Sequence, residues 1–145
     1  MLLGEYELRI DDKNRITVPA RLRPAFEDGV FVTRGLDSCL IVFTRDGWDV
    51  FVEAQSVRID SLTREGRQME RYLFGAALEG ELDRQGRIAL PPALLKHAAL
   101  DRDIVILGVR DRLEIWDRDA WQSEFTETEG GMADVAERVA RESHR

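Results

Sequence analysis

The sequence predicts a mainly β fold with short helices, in which one α+β unit occurs twice. The first observation is a repeated stretch. Asp11-Asp12-Lys13-Asn14-Arg15-Ile16-Thr17-Val18-Pro19 returns as Asp83-Arg84-Gln85-Gly86-Arg87-Ile88-Ala89-Leu90-Pro91, with Asp11/Asp83, Arg15/Arg87, Ile16/Ile88, Pro19/Pro91 and Leu22/Leu94 all 72 residues apart. The second is that each copy is followed by two short apolar runs rich in β-branched residues, separated by a glycine and a polar turn. The third is that each half closes with a cap residue and a tryptophan-bearing segment. One match could be chance, but a register kept over five positions is a duplication.

Taken in order, Glu5 to Ile10 alternates Tyr6, Leu8 and Ile10 with charged residues, which predicts a strand with one buried face. Asp11 to Asn14 has turn chemistry, and Ile16 and Val18 flank Thr17 in a second short strand. Asn14 and Gly86 occupy the same place, directly before the arginine. Glycine adopts positive φ freely and asparagine tolerates it well. Both copies are therefore suited to a tight turn that projects the arginine in a fixed direction. Pro19 and Pro91 end the strand and suit the first turn of a helix. Leu22 and Phe26, or Leu94 and Leu95, form its inner face, and Pro24 shortens the first copy.

Val30 to Thr33 and Ile104 to Leu107 read as strands, as do Leu40 to Phe43 and Leu113 to Trp116. By this point the spacing has grown to 73, so the second half has gained one residue between helix and strand. Thr44 and Asp117 are equivalent N-cap residues. Trp48 and Trp121 follow as packing residues within or between the halves. Asp60 to Ala77 reads as a helix with Leu62, Met69, Tyr72, Leu73 and Ala76 on its apolar stripe. Thr126 to Gly131 reads as a polar linker, and Met132 to Ser143 as a weakly amphipathic, frayed helix. The predicted organisation is a first repeat at residues 1–55, a connecting helix at 56–76, a second repeat at 77–125, and an acidic, mobile tail at 126–145.

Composition narrows the function classes. A hydrophobic share of 43 % is that of a folded chain rather than a disordered one. No run of about 18 apolar residues is present to span a membrane, and the N-terminus lacks the basic and apolar regions of a signal peptide. Cys39 is the only cysteine, so no disulfide framework is expected and the cytoplasm is the expected compartment. His97 and His144 are far apart, and no metal-ligand spacing, phosphate loop or nucleophile elbow occurs. A two-metal centre on Asp11, Asp12 and Asp83 is disfavoured, because Asp12 corresponds to Arg84. The chain is therefore not expected to be an enzyme or to carry a cofactor.

The net charge of −7 argues at face value against nucleic acid. Charge is local, however: Lys13 to Arg23 holds four cations and no acid, whereas Gln122 to Arg145 holds six acids against three arginines. An Asp and an Arg four apart can pair across the turn. If the pairs only fix their loops, they contribute at most about 1 kcal/mol each. The functional alternative is that the carboxylate orients a guanidinium whose outer edge stays free. That planar fork suits phosphate oxygens and the O6/N7 edge of guanine. Lys13 and Arg84 would then add phosphate contacts that position without reading sequence, and Arg21 and Arg23 are either further contributors or exposed helix.

These residues resemble the bacterial MraZ family. The likeness lies in the duplicated Asp-x-x-x-Arg motif, the Arg15-Ile16-Thr17-Val18-Pro19 continuation, and the Trp-bearing helix after each final strand, over about residues 1–125. It implies two tandem AbrB-like units in a pseudo-twofold, swapped-hairpin β-barrel. It further implies a nucleoid-associated transcriptional regulator of the division and cell-wall gene cluster. Such a regulator binds G-rich direct promoter repeats in double-stranded DNA as a ring-shaped homo-oligomer with its loops on one face. A ring repeats a small basic patch, so weak contacts add through effective concentration. By this resemblance Arg15 and Arg87 are the readers, Asp11 and Asp83 their orienters, and Lys13, Arg84 and Asn14 further DNA-binding positions. This chain has Asn14 where the family has glycine, and Gln85 where the first loop has Lys13, so the first loop is expected to carry more affinity. The alternative is an antitoxin-like assembly scaffold whose loops bind an acidic protein.

Overall fold

The computed structural model describes residues 1–144; Arg145, the last residue of the expected tail, lies outside them. In chain order the elements are β1 (Leu2–Arg9), β2 (Arg15–Thr17), a 3₁₀ segment (Ala20–Phe26), β3 (Val30–Arg34), β4 (Leu40–Thr44), α1 (Arg45–Arg58) and α2 (Arg64–Phe74). The second half repeats the series as β5 (Leu78–Gly80), β6 (Arg87–Ala89), α3 (Pro92–His97), β7 (Asp103–Arg110), β8 (Leu113–Asp117), α4 (Arg118–Glu129) and α5 (Met132–Glu142). This is the mainly β, α+β architecture that the duplicated sequence predicts.

Each half lends its first strand to the hairpin of the other. β1 pairs with β7 of the second half, and β5 pairs with β3 of the first. The hairpins β3–β4 and β7–β8 then join through β4 and β8. The resulting antiparallel sheet has the order β1-β7-β8-β4-β3-β5, which reads the same from either end when the halves are exchanged. The two remaining strands, β2 and β6, pair with each other across the pseudo-twofold axis as a separate ribbon. The backbone ladders thus form a six-stranded sheet and a two-stranded ribbon around one core, without a continuous ring of pairing.

The apolar runs in β3, β4, β7 and β8 follow from burial on both faces of the sheet. Val30, Val32, Leu40, Val42, Ile104, Ile106, Leu113 and Ile115 face a common core with Ile16, Val18, Ile88 and Leu90 of the ribbon region. On the other face, Phe31, Ile41 and Phe43 are covered by Trp48 and Phe51 of α1. Cys39, Val105, Leu107 and Trp116 are covered by Ala120 and Trp121 of α4. The two tryptophans therefore seal equivalent sheet faces. Trp48 stacks on Phe31 at 5.3 Å. Trp121 packs on Trp116 and also donates its indole N–H to Glu5 of the first half at 3.1 Å.

The caps form as their chemistry dictates, Thr44 Oγ1 accepting from the Gly47 amide and Asp117 Oδ2 from the Ala120 amide. Pro24 lies inside the first short helical segment, which is 3₁₀ rather than α. Three expectations are corrected. The connecting helix spans Arg64–Phe74 rather than Asp60 to Ala77: Asp60 to Thr63 forms a turn whose Thr63 hydroxyl caps the Gly66 amide, and Ala76 lies past the Gly75 cap. Leu62 lies on that turn with 90 % of its surface exposed, outside the apolar stripe. The stretch Thr126 to Glu129 is helical, not linker: the Thr126 and Thr128 hydroxyls donate to carbonyls one turn back, at Gln122 and Glu124. Only Gly130 and Gly131 then separate α4 from α5.

The ribbon is held by the core rather than by its length, since three residues per strand cannot stand alone. Ile16 is 1 % exposed and faces Ile88 directly across the ribbon. Ile16→Ala is expected to lower stability by about 3 kcal/mol. The change should be read as a lower urea midpoint at an unchanged slope. A loss below about 1 kcal/mol would mean that the ribbon lies outside the cooperative core.

Candidate functional site

Each Asp-x-x-x-Arg motif folds as a loop built on one carboxylate. The Asp11 amide donates to the Arg15 carbonyl at 3.1 Å, and the Asn14 amide donates to the Asp11 carbonyl at 3.1 Å. Asp11 Oδ1 accepts the amides of Lys13 and Arg15, both at 2.9 Å, and Oδ2 accepts Arg15 Nε at 2.7 Å. The second loop repeats every bond. Asp83 Oδ1 accepts the Gln85 and Arg87 amides at 2.9 Å, and Oδ2 accepts Arg87 Nε at 2.8 Å. Closing the loop requires a left-handed residue before the arginine, and Asn14 and Gly86 have φ of 57° and 76°. The aspartate is thus cap, turn former and ion-pair partner at once.

These contacts depress both carboxyl pKa values below the ordinary 3.8. The leading cause is the backbone amide of the paired arginine, with further lowering from its side chain and from the amide of Lys13 or Gln85. A single carboxylate accepting three N–H donors leaves little reason for its arginine to move.

The arginines are oriented but not consumed. Each uses Nε for the carboxylate, and neither has a hydrogen-bond partner for its Nη nitrogens among the described residues. The ribbon sets their relation. Arg15 faces Ala89 and Thr17 faces Arg87. Directly opposed residues share a face, so Arg15, Thr17, Arg87 and Ala89 lie together while Ile16 and Ile88 turn to the core. Arg15 and Arg87 are diagonal neighbours, with backbones about 7–8 Å apart by strand geometry. The loops are also laced together: the Val18 amide donates to the Gly86 carbonyl at 2.8 Å, and the Leu90 amide to the Asn14 carbonyl at 2.9 Å.

Every site residue expected from sequence falls in this region. Asp11, Asp83, Arg15 and Arg87 form the framework; Lys13, Asn14 and Arg84 are exposed around it. Lys13 and Arg84 have no salt-bridge partner among the described residues. Arg21 and Arg23, which the sequence treats alike, separate. Arg21 is exposed, whereas Arg23 is half-buried and donates from Nε to the Val18 carbonyl at 2.8 Å. Nothing in the sequence marks Arg23, because its repeat equivalent is Leu95. The arrangement presents two guanidinium edges on one face with two exposed cations in the adjoining loops, a donor set suited to guanine edges and phosphate.

Other chemistry is sparse. Among the described residues no group of three or more His, Cys, Asp or Glu side chains could hold a metal ion, and no helix is long and apolar enough to cross a membrane. The main apolar groove lies between α1 and α2, away from the loops, with Cys39, Ile41, Phe43 and Leu73 in its lining. Burial there pushes the Cys39 thiol up to about 12, which leaves it unreactive at neutral pH.

Two outcomes follow from the loop geometry. Asn14→Ala is expected to cost about 1 kcal/mol and Asn14→Gly less than about 0.5, measured by urea unfolding, because alanine resists positive φ. Equal costs would mean that the turn relaxes to another conformation. A carboxyl NMR titration should place Asp11 below 3.8 in the native protein, with an upward move in Arg15→Gln. The folded loop favours the ionised form, so the stability it contributes is complete above the ordinary value and is lost as pH falls through the depressed one. An unchanged midpoint in the variant would show that the side-chain bond adds nothing.

Comparison with known proteins places the chain in a family. The family described as "MraZ protein, putative antitoxin-like" matches in two segments, residues 1–71 and 73–142, the first ending within α2 and the second reaching the end of α5. The "Transcriptional regulator MraZ" of Ligilactobacillus salivarius (strain UCC118) is 39 % identical over 139 residues, covering 96 % of each chain. The two-segment match and the near full-length likeness establish that the chain belongs to the MraZ family.

Proposed function

We propose that the chain is a DNA-binding transcriptional regulator whose paired Asp-x-x-x-Arg loops read guanine-rich duplex. The observation that carries this is the diagonal pair of arginines, each oriented by a carboxylate and each keeping its outer guanidinium edge free. A single ribbon thus offers two reading arginines from one face. Arg15 and Arg87 act as readers, Asp11 and Asp83 as orienters, and Lys13 and Arg84 as phosphate contacts, with Asn14 setting the turn. The relative's printed name supports a regulatory role.

One such face is small for a specific DNA complex. A ring of copies presenting the same face to direct repeats would multiply it through effective concentration. In that arrangement the net charge of −7 lies elsewhere on the surface and opposes indiscriminate binding. The target would be a promoter of the division and cell-wall cluster, and the protein would associate with the nucleoid.

The test is an anisotropy titration of duplexes with tandem G-rich repeats, against scrambled duplex, at two salt concentrations. Wild type is expected to prefer the repeats, with affinity falling steeply with salt as counterions return to freed phosphates. Arg15→Ala should weaken binding by about 1–3 kcal/mol, and Arg15→Ala combined with Arg87→Ala should abolish selectivity with oligomer size unchanged. Full binding by the double variant, or no selectivity in wild type, would overturn the reading. The loops would then be a structural element of an antitoxin-like scaffold.

A further inference from the structure

We propose that Arg23 is a positioning residue for Arg87, a clamp by which the first half of the chain sets the second reading loop. The inference rests on the DNA-binding reading of that loop. Arg23 leaves the 3₁₀ segment and donates from Nε to the Val18 carbonyl at 2.8 Å, while the Val18 amide donates to the Gly86 carbonyl at 2.8 Å. The Arg23 side chain also lies directly against Gly86. A methyl group on Gly86 would overlap its Nε, Cδ and Cζ atoms. Gly86 suits its φ of 76°, and its lack of a side chain also lets Arg23 lie directly against the turn. Arg23 thus touches both ends of the cross-lace that holds Gly86, the residue directly before Arg87.

The clamp has no counterpart at the other loop. The repeat equivalent of Arg23, 72 residues on, is Leu95, which carries no polar group. The loops therefore differ in how they are held as well as in charge. The first loop has Lys13 and the more restricted Asn14, whereas the second has Gln85 and the freer Gly86. A glycine gives up more conformational freedom on ordering, and a side chain packed against it limits the freedom that must be lost on binding. Arg23 offsets the flexibility of Gly86 and adds a guanidinium at the second loop, which has no lysine. Its Nη nitrogens have no protein hydrogen-bond partner among the described residues.

The experiment compares wild type, Arg23→Leu (the residue of the other half) and Arg23→Lys by amide hydrogen exchange and by duplex binding, with and without Arg87→Ala. In Arg23→Leu, exchange at Gly86, Arg87 and Val18 is expected to quicken by about tenfold, with Asn14 and Arg15 changing less than about twofold. Duplex affinity should fall by about fivefold, and by less than about twofold once Arg87 is already alanine. Arg23→Lys keeps the charge without the Nε geometry, so it should loosen the same amides. Full restoration by lysine, equal loosening of both loops, or additive losses with Arg87→Ala would overturn the proposal. If wild type binds no duplex, the functional reading falls, and the exchange asymmetry alone decides whether Arg23 clamps the loop.

Discussion

The pairing of β2 with β6 is the constraint on which the other features of the molecule depend. It joins two strands that are 72 residues apart in the chain, over three residues each, with Ile16 against Ile88 on the inner side. So short a ladder has almost no stability of its own. It persists because the inner residues belong to the same apolar core as both hairpins, and because each half has already given its first strand to the other. The exchange of strands makes the two halves one cooperative unit. It also brings two turns that would otherwise sit in separate modules to opposite ends of a single ribbon. The face opposite Ile16 and Ile88 is the only place on that ribbon where Arg15 and Arg87 can point.

Within each turn the aspartate carries most of the local order. One side chain accepts two amides and one guanidinium, which is why its charged form is favoured and its pKa lies low. In isolation an exposed ion pair contributes little. Here the same carboxylate closes the turn, so the orientation of the arginine comes with the folding of the backbone rather than as a separate cost. A guanidinium held through Nε keeps both Nη groups for another partner. That is a different state from an arginine paired end-on, whose donors are occupied. The chain can be acidic overall and still present cations here, because Asp11 and Asp83 are each paired with an arginine while Lys13 and Arg84 have no salt-bridge partner among the described residues.

The halves are copies in outline and differ where they meet solvent. Asn14 and Gly86 reach similar backbone angles by different means, the first through its tolerance of positive φ and the second through the lack of a side chain. Glycine leaves room for Arg23 against the second turn. The sheet faces behave likewise: Trp48 joins a cluster of phenylalanines, whereas Trp121 sits between Trp116 and Phe125 and reaches Glu5 across the halves. A duplicated sequence constrained only at its turns and core is free to diverge at such positions. This is where two otherwise equivalent loops acquire different stiffness.

Much of this is legible in the residues themselves. The register of the repeat, the left-handed residue before each arginine, the caps at Thr44 and Asp117 and the doubly buried strands are local or periodic properties, and local chemistry determines them. The helical run through Thr126 and Thr128 is also local, but propensity misleads there because their hydroxyls find carbonyls one turn back. Leu62 shows the opposite case, an apolar residue at helical spacing that a capped turn leaves in solvent. What no pattern in the chain reveals is which strand pairs with which. That choice belongs to the whole core, since either half could close on itself until the burial of both hairpins against one ribbon favours the exchange. The diagonal placement of Arg15 and Arg87 and the reach of Arg23 to Gly86 follow from that choice. The sequence determined the two turns and their chemistry, and only the tertiary structure decided that they would form one surface, because contacts between distant segments are set by packing rather than by propensity.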